Sequence, residues 1–230
     1  MGKHETRRQG RNDAEAIGPL SRRLMSPESS RLTGLLGMTT TRQELIRHGS
    51  RLMRRGGYTD CGLIELLDAA GLPRGSFYHH FASKEGFAVA TLEAFYAWHD
   101  VRLEMLAAET ETPGAGRIIR YFELLLDRAE TTPPEERGCL LALLTLEKSA
   151  TSEAIRAALV GVFARWQDRV AELLRQGQDD GSIARSSDTR RLAGLLLHGW
   201  EGALLRARLE RDTAPLSDFL ELALPRLLEA

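Results

Sequence analysis

The stretch LIELLDAAGLPRGSFYHHF, residues 63–81, places two short helical patterns on either side of a glycine-centred turn. Leu63, Leu66, Leu67 and Ala70 recur at three- and four-residue steps, so one side of the first helix is apolar and has to pack against something. Gly71 punctuates it. Pro73 follows where a second helix should begin, a position that suits a residue whose ring presets φ and whose missing N–H would lack a partner there. At about 100° per residue, Phe77 and Phe81 fall on one side of that second helix and Gly75, Ser76 and His79 on the other. This is a helix-turn-helix pattern. A short helix with two aromatic anchors and a small, polar outer face can enter the major groove of DNA with its N-terminal residues at the base edges.

Upstream, Thr39, Thr40 and Thr41 supply N-cap hydroxyls, and Glu44 stands three residues after Thr41 in capping-box spacing. Leu45, Ile46, Gly49, Leu52 and Met53 mark the apolar stripe of a helix that Gly56 and Gly57 should stop. Tyr58 is expected to pack beneath the module, and Thr59 or Asp60 to cap the next helix. Three helices, about 41–55, 61–70 and 73–79, then make a head with little core of its own, which has to lean on a long fourth helix beginning at Ser83. Residues 1–37 are rich in Arg, Ser and Gly and show no sustained period, so a disordered basic extension is expected over 1–38. Three readings of it stand: a solvated tail, an upstream start codon used in place of Met38, or a basic arm that reaches toward DNA.

The net charge of −1 hides an asymmetry. Residues 1–81 carry 13 Lys and Arg against 8 Asp and Glu, whereas residues 82–230 carry 18 against 24. A basic end on an acidic body is the distribution expected when one end meets phosphates. With 230 residues and 43% hydrophobic content the chain can hold one sizeable core or two modest ones. No stretch approaches the roughly 18 apolar residues of a membrane span, and the start lacks the apolar run of a signal peptide, so a cytoplasmic protein with no membrane partner is expected. Cys61 and Cys139 are the only cysteines and form no CxxC. His79 and His80 point about 100° apart on a helix with no third ligand at ligand spacing, so no metal site is expected. No GxSxG, HExxH, P-loop or GxGxxG pattern occurs, which leaves an enzyme without catalytic residues or a cofactor motif.

The run TDCGLIELLDAAGLPRGSFYHHFASKEGF, residues 59–87, resembles the DNA-binding domain of the TetR/AcrR family of bacterial transcriptional repressors, and GLPRGSFYHHF followed by SKE is its most specific part. The resemblance implies a homodimer in which residues 39–85 bind double-stranded operator DNA. Residues 86–230 would then form a helical effector-binding and dimerisation domain, and a small molecule would release the operator. It also implies that Tyr78 and Lys84 meet phosphates, that Gly75 lets the sugar-phosphate backbone come close, and that Ser76 and His79 are nearest the base edges. Arg74 and His80 complete the set of DNA-contact candidates; His80 could equally pack beside Phe81. RGCL at 137–140, RAALVGVFARWQ at 156–167 and GWEGALLRARLE at 199–210 resemble one branch, the repressors that respond to acrylate or dimethylsulfoniopropionate and their electrophile-responsive relatives. That branch tends to carry a glycine and an asparagine after RGCL, where this chain has Leu141, Ala142 and Leu143. A small acid or an electrophile is the effector class the resemblance suggests.

The remaining chain shows helical apolar spacing over 116–130, 138–148, 153–177, 188–211 and 216–229, with breaks at Pro113, Pro133 and Pro134, Gly181 and Pro215. An all-α fold of about nine helices without a convincing strand follows. In 188–211 the small residues Gly194, Gly199, Gly202, Ala203 and Ala207 interrupt leucines, so another helix can approach closely. The resemblance assigns this helix and the last one to a four-helix dimer interface, whereas periodicity alone fits internal core equally. Trp98, Tyr121, Trp166, His198 and Trp200 are the candidate wall of an effector pocket, against the plainer reading of ordinary core. Glu201, buried by pattern, could bind a ligand or pair with a local arginine. Cys139 is either an inert buried thiol or a sensor whose pKa the following helix lowers. A DNA-binding protein with no small-molecule effector is the remaining alternative.

Overall fold

The computed structural model describes residues 40–185 and 188–229, so the expected N-terminal extension and Thr39, one of three cap candidates, lie outside the described residues. Those residues form nine helices and no strand. The head comprises α1 (Thr41–Asp60), α2 (Leu63–Ala69) and α3 (Phe77–His80). The body comprises α4 (Lys84–Ala108), α5 (Gly114–Thr131), a 3-10 turn at Pro134–Glu136, α6 (Leu140–Lys148), α7 (Glu153–Asp179) and α8 (Thr189–Glu210). The last helix, α9, spans 214–229 and contains a π-helical turn at Phe219–Ala223.

Three aromatic rings hold the head together. Phe77 packs on Phe81 and on Phe87 with centroids 5.4 Å apart in each case, and Phe81 packs on Phe87 at 4.9 Å. Phe87 belongs to α4, so the long helix supplies the core that three short helices cannot. Gly49 makes this possible, since a Cβ there would stand within 2.2 Å of the Phe87 ring. Ser83 caps α4 by accepting the Gly86 N–H at 3.0 Å.

Local details of the head depart from the pattern-based expectation at three places. Gly57 breaks the helical path of α1 with φ 85°, a conformation L side chains seldom adopt, but a last turn continues to Asp60. The cap position of α2 is Gly62 with no side-chain cap hydrogen bond, so neither Thr59 nor Asp60 caps it; they lie before the cap position, and the Thr59 N–H and hydroxyl donate to Glu147 of α6 instead. Pro73 does not open α3. Residues 73–76 make one hydrogen-bonded turn, Ser76 N–H to Pro73 O at 2.9 Å, and the helix starts at Phe77. Gly75, which costs about 1 kcal/mol inside a helix, weighs against an earlier start.

In the body, α4, α7 and α8 pack side by side, and α5 crosses α7 where Gly114 meets Gly177 so tightly that a Cβ on Gly114 would lie 2.3 Å from the Gly177 Cα. The first amides of α5 find partners across this crossing, Gly114 N–H to Asp180 Oδ2 at 2.7 Å and Ala115 N–H to Ser182 Oγ at 3.0 Å. Helix α8 is apolar on two sides. Leu192, Ala193, Leu196, Leu197, Trp200 and Ala207 are buried, and Gly199 admits the Phe219 ring of α9, while Leu195, Leu205 and Leu209 are exposed. One face of the helix is therefore internal core, as periodicity allowed, and the other carries these leucines on the surface. No helix among the described residues is long and apolar enough to cross a membrane.

Candidate functional site

The turn and helix that should meet DNA project from the head. Arg74, Gly75, Tyr78, His79 and His80 are exposed and Ser76 half-buried, with Tyr78 67% exposed although it is aromatic. Phe77 behind it is fully buried, and this contrast fixes which side of α3 faces outward. A Cβ on Gly75 would touch nothing, so no neighbour within the chain requires a glycine there. Lys84 is half-buried at the start of α4; its Nζ donates to Thr59 O at 3.3 Å and sits 4.6 Å from the centre of the Tyr58 ring. Tyr58 thus lies beside two cations, with Lys148 Nζ 4.9 Å from the same ring.

The second feature is a cavity of about 50 Å³ whose walls come from α1, α4, α5, α7, α8 and the segment before α6. At roughly 10–15 Å³ per water, it has room for about four waters, and so for a ligand of few non-hydrogen atoms. Cys139, Trp166, Trp200 and Glu201 line it as expected from sequence. Tyr121 stands one layer behind: its hydroxyl accepts from Trp166 Nε1 at 2.6 Å and meets His99 Nδ1 at 2.8 Å. Trp98 is also outside the lining, but its ring carries the Arg128 guanidinium at 4.4 Å. His198 is exposed on α8 and does not reach the cavity, because the buried side of that helix runs through Leu197 and Trp200.

The histidine and arginine groups of the lining carry no signal that singled them out in the sequence. His99, Arg128, Arg137 and Arg54 all border the cavity. Burial, reinforced by the charge of Arg128, pushes the His99 pKa down to about 3, so the ring is neutral. The Tyr121 hydroxyl, already accepting from Trp166, still has its own proton to give to Nδ1, which leaves the His99 proton on Nε2. That Nε2 is buried without a partner. So are Arg54 Nε, Arg128 Nη1 and Arg137 Nη1. The rest of Arg137 is tied down, Nε donating to Ala129 O at 3.0 Å and Nη2 to Thr132 O at 3.4 Å, so its free nitrogen is held in place. Arg128 is lowered by burial and by the charge of Arg54, which marks two cations competing for one space.

One acidic group faces them. Burial raises Glu201 to about 7, its Oε1 has no partner, and it shares a hydrogen bond with the Cys139 thiol. Burial, followed by the charge of Glu201, pushes that thiol well up, against the direction expected for a sensor cysteine at a helix start. Buried donors without partners are costly. Four of them around one small space, three on arginines, suit a small anion, with Glu201 in reach as a carboxyl that can give or take a proton. Among the described residues no cluster of three or more His, Cys, Asp or Glu could hold a metal ion.

Two family models match successive parts of the chain. Residues 45–91 match the model of the bacterial regulatory proteins, tetR family, and residues 114–223 match that of the tetracyclin repressor-like C-terminal domain. The chain is 35% identical over 193 residues to the transcriptional regulator AcuR of Cereibacter sphaeroides, covering 84% of this chain and 88% of that one. A crystal structure of regulatory protein TetR from Rhodobacter sphaeroides superposes with a TM-score of 0.76 at 33% identity, covering 82% of this chain and 99% of that one. The reduced form of the repressor NemR from E. coli superposes with a TM-score of 0.70 at 34% identity, covering 83% and 98%.

Proposed function

The chain belongs to the TetR family of bacterial regulatory proteins, and from that premise we propose that it is a cytoplasmic, homodimeric repressor released from its operator by a small carboxylate. Membership makes it a regulator and not an enzyme. Residues 39–85 bind DNA, through Arg74, Gly75, Ser76, Tyr78, His79, His80 and Lys84. Residues 86–230 bind the effector and form the dimer. The exposed leucines of α8 and Leu222 of α9 supply the face on which two copies meet. A dimer of this kind sets two recognition helices about 34–36 Å apart in successive major grooves, so its operator is close to a palindrome.

The observation that carries the effector class is the group of four partnerless buried donors on Arg54, His99, Arg128 and Arg137 around one cavity. A carboxylate satisfies several of them at once and lies between guanidiniums that otherwise repel. The signal then travels along α4, on which Phe87 sits in the head core and His99 at the cavity, twelve residues or about 18 Å apart. The effector favours a tilt of α4 that spoils the spacing of the two heads, and its differential affinity sets how far the equilibrium moves. A sensor acting through the Cys139 thiolate is the weaker alternative, because burial and Glu201 both oppose ionisation of that thiol.

A fluorescent DNA fragment from the gene's own upstream region tests the reading, together with melting curves in acrylate, propionate and the matching amides. The acids should raise the melting temperature and weaken DNA binding, and the amides should do neither. Absence of salt-dependent DNA binding would remove the repressor; equal action of acids and amides would remove the carboxylate.

A further inference from the structure

Arg54 stands on α1, three positions after Arg51 and next to the buried Met53 of the head core. Arg54 nevertheless lines the cavity of the body together with Arg128 and Cys139, close enough for its charge to act on Arg128. The acid nearest to it is Glu136, and that carboxylate is engaged elsewhere: Arg51 donates to it through Nε at 3.2 Å and Nη2 at 3.1 Å. Arg54 keeps only a long ion pair, Nη2 to Oε2 at 4.0 Å, and its Nε is buried without a partner. The backbone around it is pinned from the other side, since Arg208 of α8 donates to Arg54 O at 2.5 Å and to Arg55 O at 2.8 Å. The side chain is therefore the part of this turn with an unmet requirement, and the cavity is what it faces.

We propose that Arg54 is an effector-binding residue supplied by the DNA-binding head, so that one carboxylate bridges Arg54 of α1 and Arg128 of α5. This rests on the reading of the cavity as the effector site. It adds a second, shorter route to the one along α4: the effector pulls on the first helix of the head directly. Glu136 is the internal rival, the carboxylate of the chain itself that stands within ion-pair distance of Arg54. A bound carboxylate takes over that role and leaves Glu136 to Arg51.

The test uses the full-length dimer and sodium acrylate as probe, with Arg54→Gln, Arg54→Lys, Arg128→Gln and Glu136→Gln beside wild type. Acrylate affinity is read by calorimetry, and operator affinity by fluorescence anisotropy with and without saturating acrylate. Melting of each variant without acrylate reports folding. Arg54→Gln should weaken acrylate binding at least about tenfold, the scale of one charge-assisted hydrogen bond. It should also shrink the acrylate-induced fall in operator affinity even at saturation, with Arg54→Lys between it and wild type. Glu136→Gln should tighten acrylate binding, an effect that loss of fold cannot mimic. Wild-type acrylate affinity in Arg54→Gln, together with its loss in Arg128→Gln, overturns the role of Arg54 and leaves the effector site standing. No response in wild type, or the same response in all variants, overturns both.

Discussion

Glu147 holds Thr59 twice, its Oε2 accepting both the backbone N–H and the side-chain hydroxyl at 2.9 Å, while Oε1 accepts the Tyr58 N–H at the same distance. One carboxylate of α6 thereby takes up the amides left open where α1 breaks at Gly57, and ties body to head. Gly57 leaves the room for it, since any Cβ there would collide with Oε1. Hydrogen bonds to a charged group contribute about 1.5–3 kcal/mol each when broken one-sidedly, so Glu147→Ala should cost about 2 kcal/mol after water replaces part of the loss. For a chain of this size that lowers the melting temperature by about 4–8 °C. Calorimetry checks it, and operator binding should weaken as well because the head loses a fixed point.

Gly75→Ala separates folding from DNA binding. Nothing in the protein meets a Cβ at this position, so melting should shift by no more than about 0.5 kcal/mol equivalent. Operator affinity should fall at least about tenfold if the glycine is there to let the DNA backbone approach. Lys84→Ala should behave differently, lowering the slope of log affinity against log salt by about 0.9 for each phosphate that the lysine neutralises.

Glu201 gives the stability a defined pH dependence. Its folded pKa of about 7 lies above the ordinary carboxylate value of 4.5, so the native state holds this proton more tightly than the unfolded chain. The contribution is complete below about pH 4.5 and is lost as pH rises toward 7, and the full difference is about 3 kcal/mol. His99 runs the other way. Its pKa of about 3 lies below the ordinary 6.5, so its contribution is present above 6.5 and is lost as pH falls toward 3. The two slopes oppose each other between about pH 4.5 and 6.5. Denaturant melts of Glu201→Gln should therefore lose the decline between pH 6.5 and 7.5 and show a steeper rise from pH 4.5 to 6.5 than wild type.

Leu205 and Leu222 are exposed by 66% and 63% on the two terminal helices. Leu205→Glu combined with Leu222→Glu places charges at the centre of the proposed dimer face. Light scattering should then report a monomer with near-native helical content, and operator binding should disappear because one half-site alone is too weak. A dimer that survives the pair of charges would put the interface elsewhere.

The head was legible from sequence wherever a side chain's partner is local. Phe77 and Phe81 announce their side by helical step, and Gly57 marks its break because the residue type itself permits the required φ. Pro73 misled, since its ring suits a turn as well as a first helical residue, and only the chain beyond decides between them. Glu147 carries no local signal at all; it acts on residues 88 and 89 positions away. The cavity divides in the same manner. Aromatic residues pointed to Trp166 and Trp200, but attention to rings alone chose Trp98 over its neighbour. His99 lies three residues after Tyr96, on the buried stripe of Leu92, Tyr96, Leu103 and Leu106, and that step could have singled it out. Arg128 and Arg137 could not be found in this way, because an arginine beside buried leucines looks the same whether its head reaches solvent or a cavity.

Arg208 sits between two of the exposed leucines of α8, Leu205 and Leu209, and donates to the last carbonyls before the break in α1. The helix on which the proposed dimer would meet is therefore also the clasp on the first helix of the head. In the proposed dimer a second copy would cover the leucines that flank Arg208, so that subunit contact and the hold on α1 would share one helix. On that proposal, dilution would weaken repression by itself. The number of copies per cell, and with it the strength of the gene's own promoter, then enters the dose at which repression yields.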